Sequence, residues 1–213
     1  MVDDREGMAL LDLTHPLVPG MQVYPGDPEF RCAPALSLAA DGVAVTELHL
    51  GTHTGTHVDA PAHVVPGAAG LADLDLDLFR GEALVADVRG VREIGPADLG
   101  ELRPGVVLVV CTGWSRHFGT PAYLDHPWLT ADAARAVVAA GIRALAVDTL
   151  SPDPRDSLAV HEVVLGAGGV IVENLRGVER LLGRPATLTF LPLALNGDGS
   201  PVRAVAELSG RPG

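Results

Sequence analysis

Short apolar runs, rich in Val and Leu and bounded by Gly, Pro or Asp, recur along the whole chain. Leu10–Leu13, Val43–Leu50, Ala83–Val88, Val106–Cys111, Ala144–Asp148, Gly169–Val172, Leu188–Leu195 and Val202–Leu208 all have this form, which predicts strands. Two segments read as helix instead. After Thr130, a favoured N-cap residue, ADAARAVVAA has high helix propensity until Gly141. A shorter helix is predicted to begin near Asp156 and to cover SLAVHEVVLG. The first helix and the strand at 144–148 form an α-then-β unit. No repeat, low-complexity tract or long linker breaks the pattern. The expectation is an α/β fold, strand-rich, with residues 1–213 forming a single domain around one sheet-based core.

Composition narrows the function classes. The 213 residues are 47% hydrophobic and 20% charged, which is ordinary globular usage. Net charge is −12, and all fifteen basic residues are Arg. An acidic chain without a basic patch argues against nucleic acid and anionic membrane surfaces as partners. Apolar runs such as Val106–Val110 fall far short of the ~20 residues that span a bilayer. The first residues, MVDDREGM, do not resemble a signal or transit peptide. Cys32 and Cys111 make neither a disulfide framework nor a Cys-rich zinc site, so any metal must be held by His and carboxylates. A reduced, cytoplasmic setting is expected.

The chemistry concentrates in HLGTHTGTHVDAPAH, residues 49–63. His53, His57 and Asp59 place two imidazoles and a carboxylate close together, a donor set suited to Zn²⁺ or a similar divalent ion. A helical reading of the i, i+4 histidines fails, because Gly51 and Gly55 are helix-poor and Thr52, Thr54, Thr56 and Val58 are β-branched. An extended strand points 53, 57 and 59 the same way. It also spreads the Cα atoms of 53 and 57 roughly 13 Å apart at ~3.3 Å per residue. The glycines are therefore expected to bend the backbone so that the side chains converge. Pro61 turns the chain, leaving His63 as either a further ligand or a general acid/base. His49 alternates like an ordinary strand residue and is read as structural.

Other enzyme signatures are missing. There is no G-x-S-x-G nucleophile elbow, and Ser115 lacks that context. GAGG at 166–169 has no Lys to meet a phosphate. Four of the eight aromatic residues, Trp114, Phe118, Tyr123 and Trp128, fall in one stretch rich in Gly, Pro and Asp. This predicts a long loop that forms either a pocket wall or a subunit contact.

HTGTHVDAPAH resembles the signature of the metal-dependent cyclase-like hydrolase family, which includes bacterial kynurenine formamidases (arylformamidases) and isatin hydrolases. LDLTHPLVPGMQVYPGDP near the N-terminus, VDTLSPDP followed by His161 and Glu173, and the C-terminal FLPLALNGDGSPVRAVA are similar to other parts of that family. The resemblance implies a β/β/α swivelling-type fold assembled as dimers or tetramers. It implies a first metal at His53, His57 and Asp59, and a second at Asp59, His161 and Glu173. Zinc is the implied cofactor, as one or two ions, with manganese the alternative from the isatin hydrolase branch. His63 would be the proton donor and acceptor. Tyr24 would contact the substrate, in a position where the formamidases carry Trp.

Without the resemblance, His161 reads as a structural helix histidine and Glu173 as an exposed strand-end carboxylate. Asp148 has the same strand-end character and is a candidate for supporting a ligand. Three functions follow as expectations: an amidohydrolase acting on a small arylformamide or cyclic amide, a metal-dependent cyclase or dehydratase, and a non-catalytic metal protein. A spare His63 argues against the last, because structural sites are closed by four protein ligands.

Overall fold

The computed structural model describes residues 9–209; the N-terminal MVDDREGM lies outside them. Strand β1 (Ala9–Asp12) comes first. β2 (Arg31–Leu36) and β3 (Val45–His49) form a separate antiparallel ribbon across the one-turn helix α1 (Leu38–Asp41). β4 (His57–Asp59) carries two of the clustered residues. β5 (Arg80–Asp87), β6 (Glu93–Ile94), β7 (Val106–Cys111) and β8 (Trp128–Leu129) follow. Next come α2 (Ala131–Ala139), β9 (Ala144–Val147), α3 (Ala159–Gly166) and β10 (Val170–Glu173). β11 (Ala186–Thr189), β12 (Gly199–Pro201) and β13 (Val205–Leu208) complete the order.

Nine of these strands make one mixed sheet in the order β1-β13-β11-β5-β7-β9-β10-β4-β12. Its centre, β5-β7-β9-β10, is parallel. The flanking pairs on both sides are antiparallel. The protein is thus mixed α/β with strands dominant.

The parallel centre explains the continuous apolar runs. Val106, Leu108 and Val110 pack with α2 and α3 on one face, while Val107, Val109 and Cys111 join Leu188, Phe190 and Ala206 on the other. Strands covered on both faces do not alternate with polar residues. Thr130 caps α2 as expected, its side chain accepting from the Ala133 N–H.

One strand expectation needs correction, and one strand was not expected. The run at 188–195 ends as a strand at Thr189. Pro192 has no N–H for a ladder, and Leu191, Leu193 and Leu195 are exposed. Arg31–Leu36 is a strand although Pro34 weakens the pattern; the register shifts between Pro34 and Leu36, and the ribbon is exposed throughout. No helix among the described residues is long and apolar enough to cross a membrane.

Candidate metal centre

The centre forms where β4 lies between β10 and β12. Alternation along β4 sends Val58 into the core and places His57 and Asp59 on the opposite face. Register then matters: His57 pairs directly with Glu173 of β10, so an imidazole and a carboxylate 116 positions apart become cross-strand neighbours. His57 Nε2 lies 3.3 Å from both Asp59 Oδ1 and Glu173 Oε2.

The strand does not extend back to His53. A turn intervenes, closed by the Thr54 N–H to the Gly51 carbonyl, and Gly55 holds φ +68. A Cβ at Gly55 would meet Leu17 Cδ2 at 2.8 Å, so another residue there would have to displace that side chain and would be strained at this φ. The bend folds His53 back until its Nδ1 is 2.7 Å from Asp59 Oδ1 and its Nε2 2.9 Å from Asp198 Oδ2. Asn174 fastens the bend from the other side. It holds φ +57, donates from Nδ2 to the Gly55 carbonyl, and accepts the Tyr123 hydroxyl at 2.9 Å.

α3 delivers His161. The Asp153 carboxylate accepts the N–H groups of Val160 and His161 at the start of that helix, at 2.7 and 3.0 Å. The same carboxylate accepts His161 Nδ1–H at 2.7 Å, which directs Nε2 to Glu173 Oε1 at 3.2 Å and Asp59 Oδ2 at 3.5 Å. His57 is held alike: Nδ1–H donates to the Gly55 carbonyl at 2.8 Å. Such outer hydrogen bonds fix the tautomer and aim of a metal-ligating imidazole.

His63 stands at the edge, half-buried. Its ring centroid is 4.0 Å from that of His53 and 5.6 Å from that of His161, and its Nδ1 is 3.6 Å from Asp198 Oδ2. A cavity of about 680 Å³ opens over the centre, lined by His53, His57, His63, His161 and Glu173, with Tyr24 on its wall.

The five donor residues and His63 are therefore brought together. Asp148 is not among them: it is fully buried and accepts Thr112 N–H, Thr112 hydroxyl and Gly113 N–H, which anchors the loop after β7. The supporting carboxylates are Asp153 and Asp198, which the sequence reading did not single out. Asp153 sits in an S-P-D-P stretch just before a helix, a start signal that could have found it. The predicted aromatic loop is two one-turn helices, Trp114–His117 and Pro121–Leu124. It contributes Leu124 and His126 to the cavity, and not its Trp, Phe or Tyr rings. His49 lies exposed on the β2–β3 ribbon.

The donors fit a divalent cation. Among the described residues, His57 Nε2, Asp59 Oδ2 and Glu173 Oε1 are buried polar atoms without a hydrogen-bond partner. Each such orphan costs about 1–3 kcal/mol unless something satisfies it. Two groups, His53–His57–Asp59 and Asp59–His161–Glu173, each offer three ligand atoms within 4.8 Å of one another and share Asp59.

Charges at the centre are strongly coupled. Burial alone would depress the His57 imidazole, but the Asp59 and Glu173 carboxylates outweigh it and push it up to about 10. His161 is likewise raised well above the ordinary histidine range: burial opposes its charge, and Asp153, Asp59 and Glu173 overcome burial. Burial would lift Asp59, yet the facing imidazoles hold it well below the usual carboxylate range. The metal-free centre at pH 7 is thus imidazolium against carboxylate.

Metal binding requires neutral imidazoles and so must release protons. Apparent metal affinity is expected to rise with pH toward 10. Metal-free stability should run the other way. The raised His57 stabilises the fold fully below its ordinary value of 6.5, and that contribution is lost as pH rises through about 10. Competition with a chromophoric chelator across pH, with proton release followed in weak buffer, checks this; an affinity independent of pH would contradict it.

Residues 11–154 match the family model described as putative cyclase. This chain belongs to the cyclase family. A kynurenine formamidase of Bacillus mycoides (strain KBAB4) is 35% identical over 200 residues, covering 92% of this chain and 95% of that protein. One from Salinibacter ruber (strain DSM 13855 / M31) is 35% identical over 214 residues, covering 93% and 97%. Among solved structures, isatin hydrolase A from Labrenzia aggregata bound to benzyl benzoate superposes with TM-score 0.85 at 25% identity, covering 94% of this chain and 93% of that one. A "predicted metal-dependent hydrolase" from Bacillus stearothermophilus gives TM-score 0.80 at 25% identity, with 94% and 98% covered. This cyclase-family chain is an enzyme, and its centre suits a divalent metal.

Proposed function

We propose that this cyclase-family enzyme hydrolyses the amide of an arylformamide, releasing an arylamine and formate. The observation that carries the reading is the pair of donor groups sharing Asp59, with His63, which belongs to neither of them, beside them in the same cavity. The named kynurenine formamidases, alike over nine-tenths of the chain, support it.

His53, His57 and Asp59 would hold one ion, and Asp59, His161 and Glu173 a second. A bound divalent ion lowers the pKa of water toward ~7 and polarises a carbonyl. Zinc suits these His and carboxylate donors, and manganese is the alternative. Burial depresses the His63 imidazole below its ordinary range. In its neutral form it can accept a proton. His63 takes a proton from the attacking water as the C–O bond forms, then gives it to the amide nitrogen as the C–N bond breaks. Tyr24 flanks the substrate's ring, while Asp153 and the Gly55 carbonyl keep His161 and His57 aimed.

The test is hydrolysis of N-formylkynurenine by metal-loaded protein, following kynurenine and formate, with a chelator-treated control. Chelator-sensitive turnover supports the reading. Folded, metal-loaded protein that does not turn over removes it. The isatin-hydrolase-like shape then favours ring opening of a cyclic amide.

We also infer that the enzyme works as a homo-oligomer in a reduced, cytoplasmic setting. Leu36, Val45 and Leu48 of the β2–β3 ribbon are 40%, 45% and 57% exposed. An isolated two-stranded ribbon is marginal in water, and a second copy would cover it. Light scattering on Leu48→Asp is expected to show a smaller particle than wild type; an unchanged mass would count against assembly through the ribbon. Cys32 and Cys111 are both free thiols, one exposed and one buried, which fits a reducing compartment.

A further inference from the structure

The aromatic loop after β7 puts no Trp, Phe or Tyr ring on the cavity wall, yet it holds one of the most deeply buried rings of the protein. Tyr123 is 0% exposed. Its ring meets Phe118 edge-on, with centroids 5.2 Å apart and planes at 75°, and Phe118 stacks on His15 at 3.8 Å. Packing of this kind needs only a ring. Tyrosine adds a hydroxyl, and a buried hydroxyl is costly unless it finds a partner. The partner here is Asn174 Oδ1, at 2.9 Å.

The direction of each hydrogen bond beyond it is forced. The Gly55 carbonyl can only accept, so the Asn174 side-chain atom 3.0 Å away is the amide nitrogen. The amide oxygen then faces Tyr123, and the phenol donates. Burial holds that phenol well above the ordinary tyrosine range, so it keeps its proton. The same Gly55 carbonyl accepts His57 Nδ1–H at 2.8 Å. Among the described residues, no backbone N–H bonds this carbonyl. Two side chains therefore hold it, one of them a donor of the metal centre and the other an amide whose orientation Tyr123 sets.

The Asn174 backbone is fastened separately. Its carbonyl accepts the Thr56 hydroxyl at 2.6 Å, and its N–H donates to the Thr149 carbonyl at 3.0 Å. Loss of the Tyr123 hydroxyl would free the Asn174 side chain and leave in place the backbone that carries Glu173. Phenylalanine fills the same space but strands Asn174 Oδ1 without a donor, and the amide is no longer held with its nitrogen toward Gly55.

We infer that Tyr123 is a positioning residue for the metal centre: through the Asn174 amide it fixes the Gly55 carbonyl, and through that carbonyl it sets the aim of His57 Nε2. The aromatic loop is a brace behind the centre. This rests on the reading of His57 as a ligand under the proposed function, and not on the identity of the substrate.

Cobalt(II) is the probe, because its visible bands report ligand geometry, and chelator competition gives its affinity. Tyr123→Phe is expected to bind cobalt(II) roughly 10- to 100-fold more weakly than wild type and to shift the visible bands, with circular dichroism unchanged. Asn174→Gly removes the amide and keeps a residue suited to φ +57, and a loss of similar size is expected. The double variant should bind no more weakly than either single one, because both act through one carbonyl. Wild-type affinity and bands in Tyr123→Phe would overturn the assignment even if Tm falls, since that pattern belongs to packing alone. Losses that add in the double variant would overturn it too. Should Tyr123→Phe lose its fold, Asn174→Gly reads the same link, and unchanged affinity and bands there count against it. Wild type that takes up no cobalt(II) removes the metal reading of the centre and this inference with it; failure of the variants alone leaves that reading standing.

Discussion

Asp59→Asn is expected to yield a folded protein that retains little divalent metal and has lost its turnover. Asp59 is the residue common to both donor groups. Its Oδ1 faces His53 and His57, and its Oδ2 faces His161. Asparagine keeps one oxygen and replaces the other by an NH₂ donor, so one side of the centre loses its acceptor. Metal assistance supplies several kcal/mol of transition-state stabilisation, and at about 1.4 kcal/mol per tenfold its loss costs on the order of 10³-fold or more in rate. The fold should survive, because β4 is held by the backbone pairing to β10 and β12 and by Val58 in the core. Elemental analysis of the purified variant, beside its circular dichroism and turnover, checks this. A variant with full metal content and near-normal rate would show that Asp59 is not the shared ligand.

His63→Ala should separate proton transfer from metal binding. The loss expected for a general acid/base is about 10²- to 10⁴-fold in kcat. Metal content should stay at the wild-type level, since both donor groups that share Asp59 are complete without His63. Added imidazole should restore part of the rate by entering the space the side chain leaves. The competing arrangement is specific: His53, His63 and Asp198 also place three ligand atoms within 4.8 Å of one another. If His63→Ala loses metal in proportion to activity, His63 is a ligand and the proton carrier must be sought elsewhere in the cavity.

Much of this was readable along the chain, for physical reasons that differ from place to place. Val106–Cys111 matched to the residue because a strand buried on both faces must be apolar at every position. The start of α2 was legible because Thr130 and the alanines after it act through local hydrogen bonds and propensity. The His53–His57–Asp59 group was legible because its members lie within seven residues of one another, and Gly55 signalled the bend that closes them. Arg31–Leu36 was missed, since an exposed ribbon has no buried face to impose a period.

The distal half of the centre was another matter. His161 and Glu173 look ordinary in sequence; only the resemblance to a known family pointed to them. Their role depends on β10 pairing with β4 in the register that sets Glu173 opposite His57. It also depends on Asp153 capping α3 so that His161 turns inward. Asp198 reaches His53 only because β12 pairs with β4 on its other edge. Strand register and helix docking are set by burial of the whole sheet and not by any short segment. The sequence by itself determined the buried parallel strands, the start of α2 and where the first donors cluster, because those follow from local periodicity and spacing. The tertiary structure decided which distant carboxylates and imidazoles complete the centre, because contacts between residues over a hundred positions apart exist only once the sheet has closed.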